Sequence, residues 1–130
     1  MKKIFTNGCF DILHTGHITL LEYSKSLGDY LIVGLNSDRS VKKLKGQNRP
    51  INNEKDRKRM LESIKFVDEV IIFNEDTPLE TIKKIKPNII VKGGDYTKEL
   101  VVGYGLAEVV IFKYMNGYST TNIIKSISNR

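Results

Sequence analysis

The sequence is short of the residues that form cross-links and metal centres. Its 130 residues include one cysteine, Cys9, two histidines, His14 and His17, and no tryptophan. One cysteine excludes an intramolecular disulfide, and we expect a reducing, cytoplasmic location. No apolar run approaches the roughly 20 residues that a membrane span needs, and the N-terminal MKKIFTNG lacks the apolar stretch of a signal peptide. We therefore expect no membrane partner.

Two common phosphate-binding fingerprints are also missing. The sequence contains neither the P-loop pattern G-x-x-x-x-G-K-[ST] nor the dinucleotide pattern G-x-G-x-x-G. No serine–histidine–acid set can be assigned, because both histidines lie in one short turn. The sequence therefore gives no support to a P-loop enzyme, a dinucleotide enzyme or a serine hydrolase.

The charge nevertheless predicts an anionic partner. The net charge is +6 at pH 7 and the isoelectric point is about 9.4, which favours either nucleic acid or a small phosphorylated ligand. Nucleic acid is disfavoured, because basic and aromatic residues do not alternate as they do in stacking platforms. Length and a 40% hydrophobic fraction predict one globular domain spanning residues 1–130.

Apolar strands alternate with helices along the chain. Strands are predicted at 2–8, 29–38, 67–73, 87–95 and 107–112, and helices at 16–28, 53–64, 77–86 and 119–127. Thr77 is the predicted N-cap of the third helix, with Pro78 at its first position, and a basic loop is predicted after the second strand. The pattern predicts an α/β fold with a single doubly wound (Rossmann-like) parallel five-stranded sheet and helices on both faces.

Four polar, glycine-bearing segments each follow a predicted strand. They are NGCFDILHTGH, NSDRSVKKLKG, KGGDY and NGYSTT. Ligands of doubly wound sheets bind outside the carboxyl ends of the strands. The sequence therefore predicts that these segments converge on one site.

The first of these segments places two histidines where a helix begins. His14 and His17 flank Gly16, and a helix N-terminus attracts anions while a glycine allows close approach. Two imidazoles there can donate hydrogen bonds to a phosphoryl group and stabilise developing charge. One alternative is a metal site that adds Cys9 and Asp11. The other is a structural pair, in which one histidine caps the helix and the other is buried in the core.

The densest basic segment is SVKKLKGQNRPINNEKDRKRM, residues 40–60. Lys42, Lys43 and Lys45 lie beside a glycine and are predicted to reach phosphate oxygens. A solvated loop and helix face equally explains the later cations, which are Arg49, Lys55, Arg57, Lys58 and Arg59.

A hydroxyl-rich segment starts the last predicted helix. Ser119, Thr120 and Thr121 follow Gly117 and can cap that helix. The same hydroxyls and free N–H groups can also bind a phosphate chain.

The predicted site is rich in cations and hydrogen-bond donors and has no evident nucleophile or base. Such a site fits a reaction in which the substrate brings its own nucleophile. A phosphate monoester that attacks the α-phosphorus of a nucleoside triphosphate is such a substrate. The protein then has to align the reactants and stabilise charge on the transferring group and on pyrophosphate. Mg²⁺ is the expected cofactor, carried by the triphosphate without a dedicated protein cage.

These motifs carry a family resemblance. HTGH resembles the H-x-G-H signature of the cytidylyltransferase-like nucleotidyltransferase superfamily, and GYSTTNII resembles its second signature. Over essentially the whole chain, the motifs resemble the adenylyltransferase domains of ADP-heptose synthases; they are FTNGCFDILHTGH, NSDRSVKKLKGQNRPIN, EDTP, VKGGDY and STTNII. The resemblance implies transfer of AMP from ATP to D-glycero-D-manno-heptose 1-phosphate, in a pathway that commonly supplies lipopolysaccharide.

The resemblance also implies roles for individual residues. His14, His17 and Lys45 would contact the triphosphate and act in catalysis, and Cys9 and Phe10 would line the nucleotide through their backbone. Ser119, Thr120 and Thr121 would hold phosphates. The substrate side would include Lys42 or Lys43 at the acceptor phosphate. Asp11 and Asp38 belong to the same side, where they would organise the site, and each equally suits a turn or a cap.

The sequence departs from the family pattern in two places. Tyr114 stands roughly where the cytidylyl branch has an arginine, which argues against a glycerol-3-phosphate cytidylyltransferase. The segment TKELVVGYGL is shorter than in heptose enzymes and lies close to where the base would sit. A cytidylyltransferase acting on glycerol 3-phosphate or another small phosphorylated alcohol remains the alternative, and a non-catalytic nucleotide-binding module is a third hypothesis.

The resemblance carries two expectations about assembly. The kinase half of many heptose synthases is missing from this sequence, so a standalone transferase is expected. A homodimer is expected from the family alone.

Overall fold

The computed structural model describes residues 1–113 and 120–128. Within them the strands are β1 (Lys3–Gly8), β2 (Tyr30–Asn36), β3 (Glu69–Phe73), β4 (Ile89–Gly93) and β5 (Glu108–Phe112). The α-helices are α1 (Thr15–Ser26), α2 (Asp38–Lys45), α3 (Glu54–Glu62), α4 (Leu79–Ile85) and α5 (Thr120–Ser128), and a 3₁₀ turn covers Lys98–Leu100. No helix of these residues is both long and apolar enough to cross a bilayer.

The strands form one parallel sheet in the order β3-β2-β1-β4-β5. The chain runs outward from β1 to β2 and β3, then returns to the other side of β1 for β4 and β5. The order of the strands therefore reverses between β1 and β4. Ligands of doubly wound sheets bind at the carboxyl ends of the strands beside this topological switch point. The predicted α/β fold is confirmed.

Two apolar layers cover the two faces of the sheet. One contains Leu20 and Leu21 of α1 and Leu61 of α3, packed against Ile4 and other strand residues. The other contains Ile82 of α4, packed against strand residues that include Phe5 and Ile90. Strands buried on both faces explain the continuous apolar runs in the sequence.

The basic segment after β2 is helical where a loop was predicted. Ser37 caps α2 by accepting a hydrogen bond from the backbone N–H of Ser40 at 3.2 Å, and Val41 is fully buried. Three lysines in the last turn complement the negative end of the helix dipole. The prediction was wrong because a segment rich in lysine is typical of a solvated loop. Here the Ser37 cap and the buried Val41 are enough to stabilise two turns of helix.

The start of α4 also differs from its prediction. Pro78, not Thr77, is the N-cap, and its carbonyl accepts the first helical hydrogen bond from Ile82 N–H at 2.9 Å. Pro78 makes no side-chain capping bond, and Thr77 lines the cavity described below. The prediction of a threonine cap was wrong by one residue.

Candidate active site

A cavity of about 550 Å³ opens at the carboxyl ends of the central strands. Its lining includes Asn7 and Gly8 from β1, Asn36 from β2, and Lys92 and Gly93 from β4. Three of the four polar segments predicted to converge do so here. Of the fourth, NGYSTT, residues 116–119 lie outside the described residues, and Thr120 and Thr121 are described only as helical backbone. Tyr114, the departure noted in the sequence, also lies outside the described residues.

His14 and His17 line this cavity and cap α1 reciprocally. His14 Nδ1 accepts a hydrogen bond from Gly16 N–H at 3.1 Å, and His17 Nδ1 accepts one from His14 N–H at 3.3 Å. The two rings stack with centroids 3.8 Å apart, and His17 also packs on Phe10 at 5.3 Å. Both Nδ1 atoms are therefore acceptors, so each neutral ring can donate a hydrogen bond only from Nε2.

Both imidazoles are neutral at physiological pH. Burial lowers the pKa of His17 to about 4, with smaller contributions from the positive charges of His14 and Lys45. Burial also lowers the pKa of His14. The pair is thus two neutral Nε2–H donors at a helix N-terminus, which suits a phosphate chain.

The two alternatives for the histidines have different outcomes. The structural alternative is correct as far as it goes, because His14 is the N-cap and His17 is only 9% exposed. That role does not exclude binding, since both rings also line the cavity. Among residues 1–113 and 120–128, no group of three or more His, Cys, Asp or Glu side chains is placed to hold a metal ion.

The loop before α1 carries backbone strain. Phe10 and Ile12 have positive φ angles of 46° and 54°, a region that costs non-glycine residues about 1–3 kcal/mol each. Such strain persists only where surrounding contacts determine the conformation. Two buried side chains, Asp11 and Arg57, supply those contacts.

Asp11 ties the strained loop to the segment that follows α2. Its carboxylate accepts hydrogen bonds from the backbone N–H groups of Ile51 and Asn52 at 2.6 and 3.0 Å, and lies 3.4 Å from Arg49 Nε. The side chain is fully buried. Asp11 therefore holds the loop before α1 against the segment after α2, and its role on the substrate side stays a prediction.

Arg57 performs the same task from α3. The guanidinium donates to the backbone carbonyls of Cys9, Asn36 and Asn52 at 2.8, 2.8 and 3.0 Å. It also donates to the Asp38 carboxylate at 2.8 Å, and the Arg57 side chain is 1% exposed. The reading of Arg57 as a solvated cation was wrong, because charge density alone does not show which cation of a helix faces inward.

Lys45 and Arg49 are cations of the cavity wall. Both line the cavity, Lys45 at the end of α2 and Arg49 four residues later. Arg49 is 13% exposed, and among the described residues its Nε is buried without a hydrogen-bond partner. Lys45 and Arg49 are thus cations of the same wall, and the role of Lys45 at the triphosphate stays a prediction.

The other predicted substrate-side residues lie elsewhere. Neither Lys42 nor Lys43 lines the cavity, and Lys43 pairs with Asp76 at 2.9 Å on the exposed side of α2. Asp38 is also outside the lining and serves as the partner of Arg57. Of the four residues predicted for the substrate side, only Asp11 lines the cavity.

Lys92 is a cavity cation that sequence reasoning missed. It is half-buried at the end of β4, with its ammonium 5.0 Å from the centroid of the Tyr96 ring. The available signal was the KGGDY segment, whose lysine precedes the paired glycines at the carboxyl end of a strand.

The short segment after β4 forms the apolar wall. Leu100, Val101 and Val102 line the cavity together with Tyr96. Gly103 follows at φ +98°, where a Cβ would lie 2.5 Å from Ile90 Cδ1. Only glycine fits this turn, which brings the segment back against the sheet.

Cys9 lies in the cavity as a neutral thiol. Burial raises its pKa, an effect that the positive charges of Lys45, Arg57 and Arg49 oppose. The thiol is therefore a poor nucleophile at neutral pH, and the role of Cys9 through its backbone stays a prediction.

A family model and several known proteins resemble this chain. The model described as cytidylyltransferase-like matches residues 5–126. The bifunctional protein HldE of Campylobacter fetus subsp. fetus is 59% identical over 125 residues, which cover 95% of this chain and 27% of that protein. HldE of Helicobacter hepaticus is 56% identical over 127 residues, 97% of this chain and 26% of that protein. The chain thus spans about a quarter of the length of these relatives.

Two solved structures share the fold. The lipopolysaccharide core biosynthesis protein from Thermoplasma volcanium is 31% identical with a TM-score of 0.74, over 92% of this chain and 99% of that one. Pantoate-beta-alanine ligase from Francisella tularensis has a TM-score of 0.60 at 15% identity, over 99% of this chain and 72% of that one. The second comparison shows the fold alone.

Proposed function

The chain belongs to the cytidylyltransferase-like family, and we propose that it is a nucleotidyltransferase that transfers AMP from ATP to a sugar 1-phosphate. The acceptor we propose is D-glycero-D-manno-heptose 1-phosphate. Relatives named HldE, and a structural neighbour described as a lipopolysaccharide core biosynthesis protein, support a place in carbohydrate metabolism.

The observation that carries the proposal is the pair of neutral imidazoles at the start of α1. His14 and His17 use Nδ1 to cap the helix and keep an Nε2 proton as donor. Lys45 and Arg49 add fixed positive charge to the same cavity. This set of groups stabilises a charged phosphate chain and offers no evident base, which a phosphate nucleophile does not need.

The reaction balances without proton transfer to the protein. An oxygen of the acceptor phosphate forms a bond to the α-phosphorus of ATP. The bond from that phosphorus to the oxygen bridging to the β-phosphate breaks, and pyrophosphate leaves with the electron pair. Donors at His14, His17 and Lys45 would gain strength as negative charge builds on the transferring and leaving groups.

Mg²⁺ is proposed to arrive with the nucleotide. Both carboxylates of the cavity lining are engaged, Asp11 by backbone N–H groups and Asp76 by Lys43. A magnesium ion carried by triphosphate oxygens needs few protein ligands and would neutralise charge on pyrophosphate. The donor set of the described residues fits that mode better than a protein cage.

A homodimer and a cytoplasmic location are also proposed. The segment beside the cavity exposes several large apolar side chains, among them Leu100, which is 79% exposed, and Tyr104 and Leu106. Light scattering after gel filtration should give twice the mass of 14.8 kDa; a monomer at micromolar concentration would contradict the dimer.

The test of the function is pyrophosphate release with Mg²⁺, with ATP and CTP each crossed against heptose 1-phosphate and glycerol 3-phosphate. We expect turnover only with ATP and heptose 1-phosphate, and none from the His17→Ala variant. Turnover with CTP and glycerol 3-phosphate would support the cytidylyltransferase alternative. No turnover in any of the four would contradict the proposed activity.

A further inference from the structure

Lys92 is a half-buried cation for which the described residues provide no counter-ion. It lies on β4, and its ammonium lies over the Tyr96 ring, 5.0 Å from the ring centroid. Burial lowers its pKa. A desolvated ammonium costs free energy unless an anion accompanies it, and an aromatic face compensates only part of that cost.

The carboxylates that share the cavity are already engaged. Asp11 accepts from Ile51 and Asn52 and lies beside Arg49, while Asp76 pairs with Lys43. Within residues 1–113 and 120–128, Lys92 forms no ion pair with an acidic side chain. An anion that pairs with Lys92 would therefore come from outside this part of the chain.

Lys92 faces the other cavity cations across the switch point. His14, His17 and Lys45 follow β1 and β2, whereas Lys92 ends β4 on the opposite side of β1. Cys9 follows β1 directly and lines the same cavity as Lys45 and Lys92. The cations of the cavity thus come from strands on both sides of β1, an arrangement that suits the joining of two anionic reactants.

We propose that Lys92, with Tyr96 beneath its ammonium, binds the phosphate of the acceptor. The inference rests on the proposed function, in which the histidines and Lys45 take the triphosphate. Lys42 and Lys43, the lysines assigned to the acceptor from the sequence, do not line the cavity. The ligand class is a phosphate monoester dianion, whose charge matches an uncompensated ammonium.

The arrangement also explains how the acceptor is oriented. Gly93 follows Lys92, and the apolar wall of Leu100 and Val101 lies beside it. A phosphate bound at Lys92 lies at the switch point, next to the N-terminus of α1. One of its remaining oxygens can then approach an α-phosphate bound at the histidines, which is the geometry that transfer needs.

The first test measures binding without turnover. In protein labelled with ¹³C and ¹⁵N at lysine, the Lys92 signal is identified by its loss in Lys92→Met, and its titration is followed with and without inorganic phosphate. We expect phosphate to raise the pKa of Lys92 by about 0.5 or more. An unchanged titration at saturating phosphate would overturn the proposal whatever the enzyme's activity. A shift in a protein that transfers no AMP would leave the anion site standing and remove the proposed function.

The second test separates the two substrates. Lys92→Met keeps the length and packing of the side chain, and should raise the KM for heptose 1-phosphate about ten- to a hundredfold, with the KM for ATP changed less than about twofold. Lys92→Arg should recover most of the loss. Lys84→Met, an exposed lysine of α4 outside the cavity, removes the same charge and should match the wild type. A rise confined to the KM for ATP would overturn the acceptor assignment.

Stability distinguishes a ligand-binding lysine from a structural one. Because Lys92→Met removes a desolvated charge that has no partner among the described residues, its melting temperature should equal or exceed that of the wild type. The same variant should lose the stabilisation that heptose 1-phosphate gives the wild type. A lower melting temperature with unchanged KM values would make Lys92 a structural residue and overturn the proposal.

Discussion

The guanidinium of Arg57 lies 2.8 Å from the carboxylate of Asp38 and is 1% exposed, whereas the Asp38 side chain is 34% exposed. The pair is therefore asymmetric, with a buried cation and an anion that water still reaches. The same guanidinium satisfies carbonyls at Cys9, Asn36 and Asn52. Arg57 joins the loop before α1, the end of β2 and the start of α3, which are the backbones that surround the site.

Replacing Arg57 should cost far more stability than replacing its partner. Arg57→Met leaves buried carbonyls without donors, and we expect a loss of about 3–5 kcal/mol in the free energy of unfolding. Asp38→Asn keeps an oxygen acceptor at a site that water reaches and should cost about 1 kcal/mol. Urea unfolding measures both variants.

The matched control for Arg57 lies on the same helix. Arg59→Met removes an exposed arginine two residues away and should change stability by less than about 0.5 kcal/mol. Equal losses from the two arginine variants would show that the four hydrogen bonds of Arg57 contribute little to stability.

The sequence predicts the sheet, but it does not predict that Arg57 is buried while Arg59 is exposed. Alternation of apolar strands and helices predicted the sheet, because burial on both faces leaves continuous runs such as LIVGL. The polar segments after β1, β2 and β4 were placed at one edge by the parallel topology alone. Which cation of KDRKR faces inward depends on the rotation of α3 against β2 and β3, and composition does not encode that rotation.

The sequence could not distinguish the three lysines of α2 for a related reason. Lys42, Lys43 and Lys45 look equivalent in sequence, yet once the segment is helical they point in different directions, about 100° apart per residue. Lys45 lines the cavity and Lys43 reaches Asp76. Because the segment was predicted as a loop, the sequence did not show which lysine faces the cavity. Lys92 was not predicted to line the cavity, because a lysine within an apolar strand pattern is also typical of a solvent-exposed residue at the edge of a sheet.

Asp11 should be a second determinant of loop geometry. Asp11→Asn replaces one acceptor oxygen with an NH₂ group that faces the N–H of Ile51 or Asn52. We expect a loss of about 2 kcal/mol in unfolding free energy and weaker ATP binding, since Phe10 and Ile12 would relax from positive φ. Urea unfolding and calorimetric ATP titration measure the two effects. Glu62→Gln, an exposed residue at the end of α3, is the charge-matched control and should show neither.

Cys9 should be dispensable as a thiol. Because burial raises its pKa, alkylation by iodoacetamide at pH 7.5 should be more than about tenfold slower in the folded protein than in urea. Cys9→Ala keeps the carbonyl that Arg57 binds and should retain turnover within about threefold. Turnover reduced a hundredfold in a folded Cys9→Ala protein would instead make the thiol a chemical participant.

His17 should make stability depend on pH between its folded and unfolded pKa values. Its pKa is about 4 when folded and about 6.5 when unfolded, so the unfolded chain binds the extra proton in that range and stability falls as pH falls. We expect His17 to cost about 2 kcal/mol at pH 5 relative to pH 7. His14, whose pKa is also lowered, acts in the same direction.

The comparison with His17→Asn isolates this effect. Asparagine can accept the His14 N–H through its side-chain oxygen but does not titrate, so the variant should lose less stability than the wild type between pH 7 and pH 5. Carboxylates protonate in both proteins, and their effect cancels in the difference. Parallel curves for the two proteins would mean that His17 is protonated in the folded state at pH 5. The proposed phosphate site depends on two neutral imidazoles, and that result would show that they are not both neutral at pH 5.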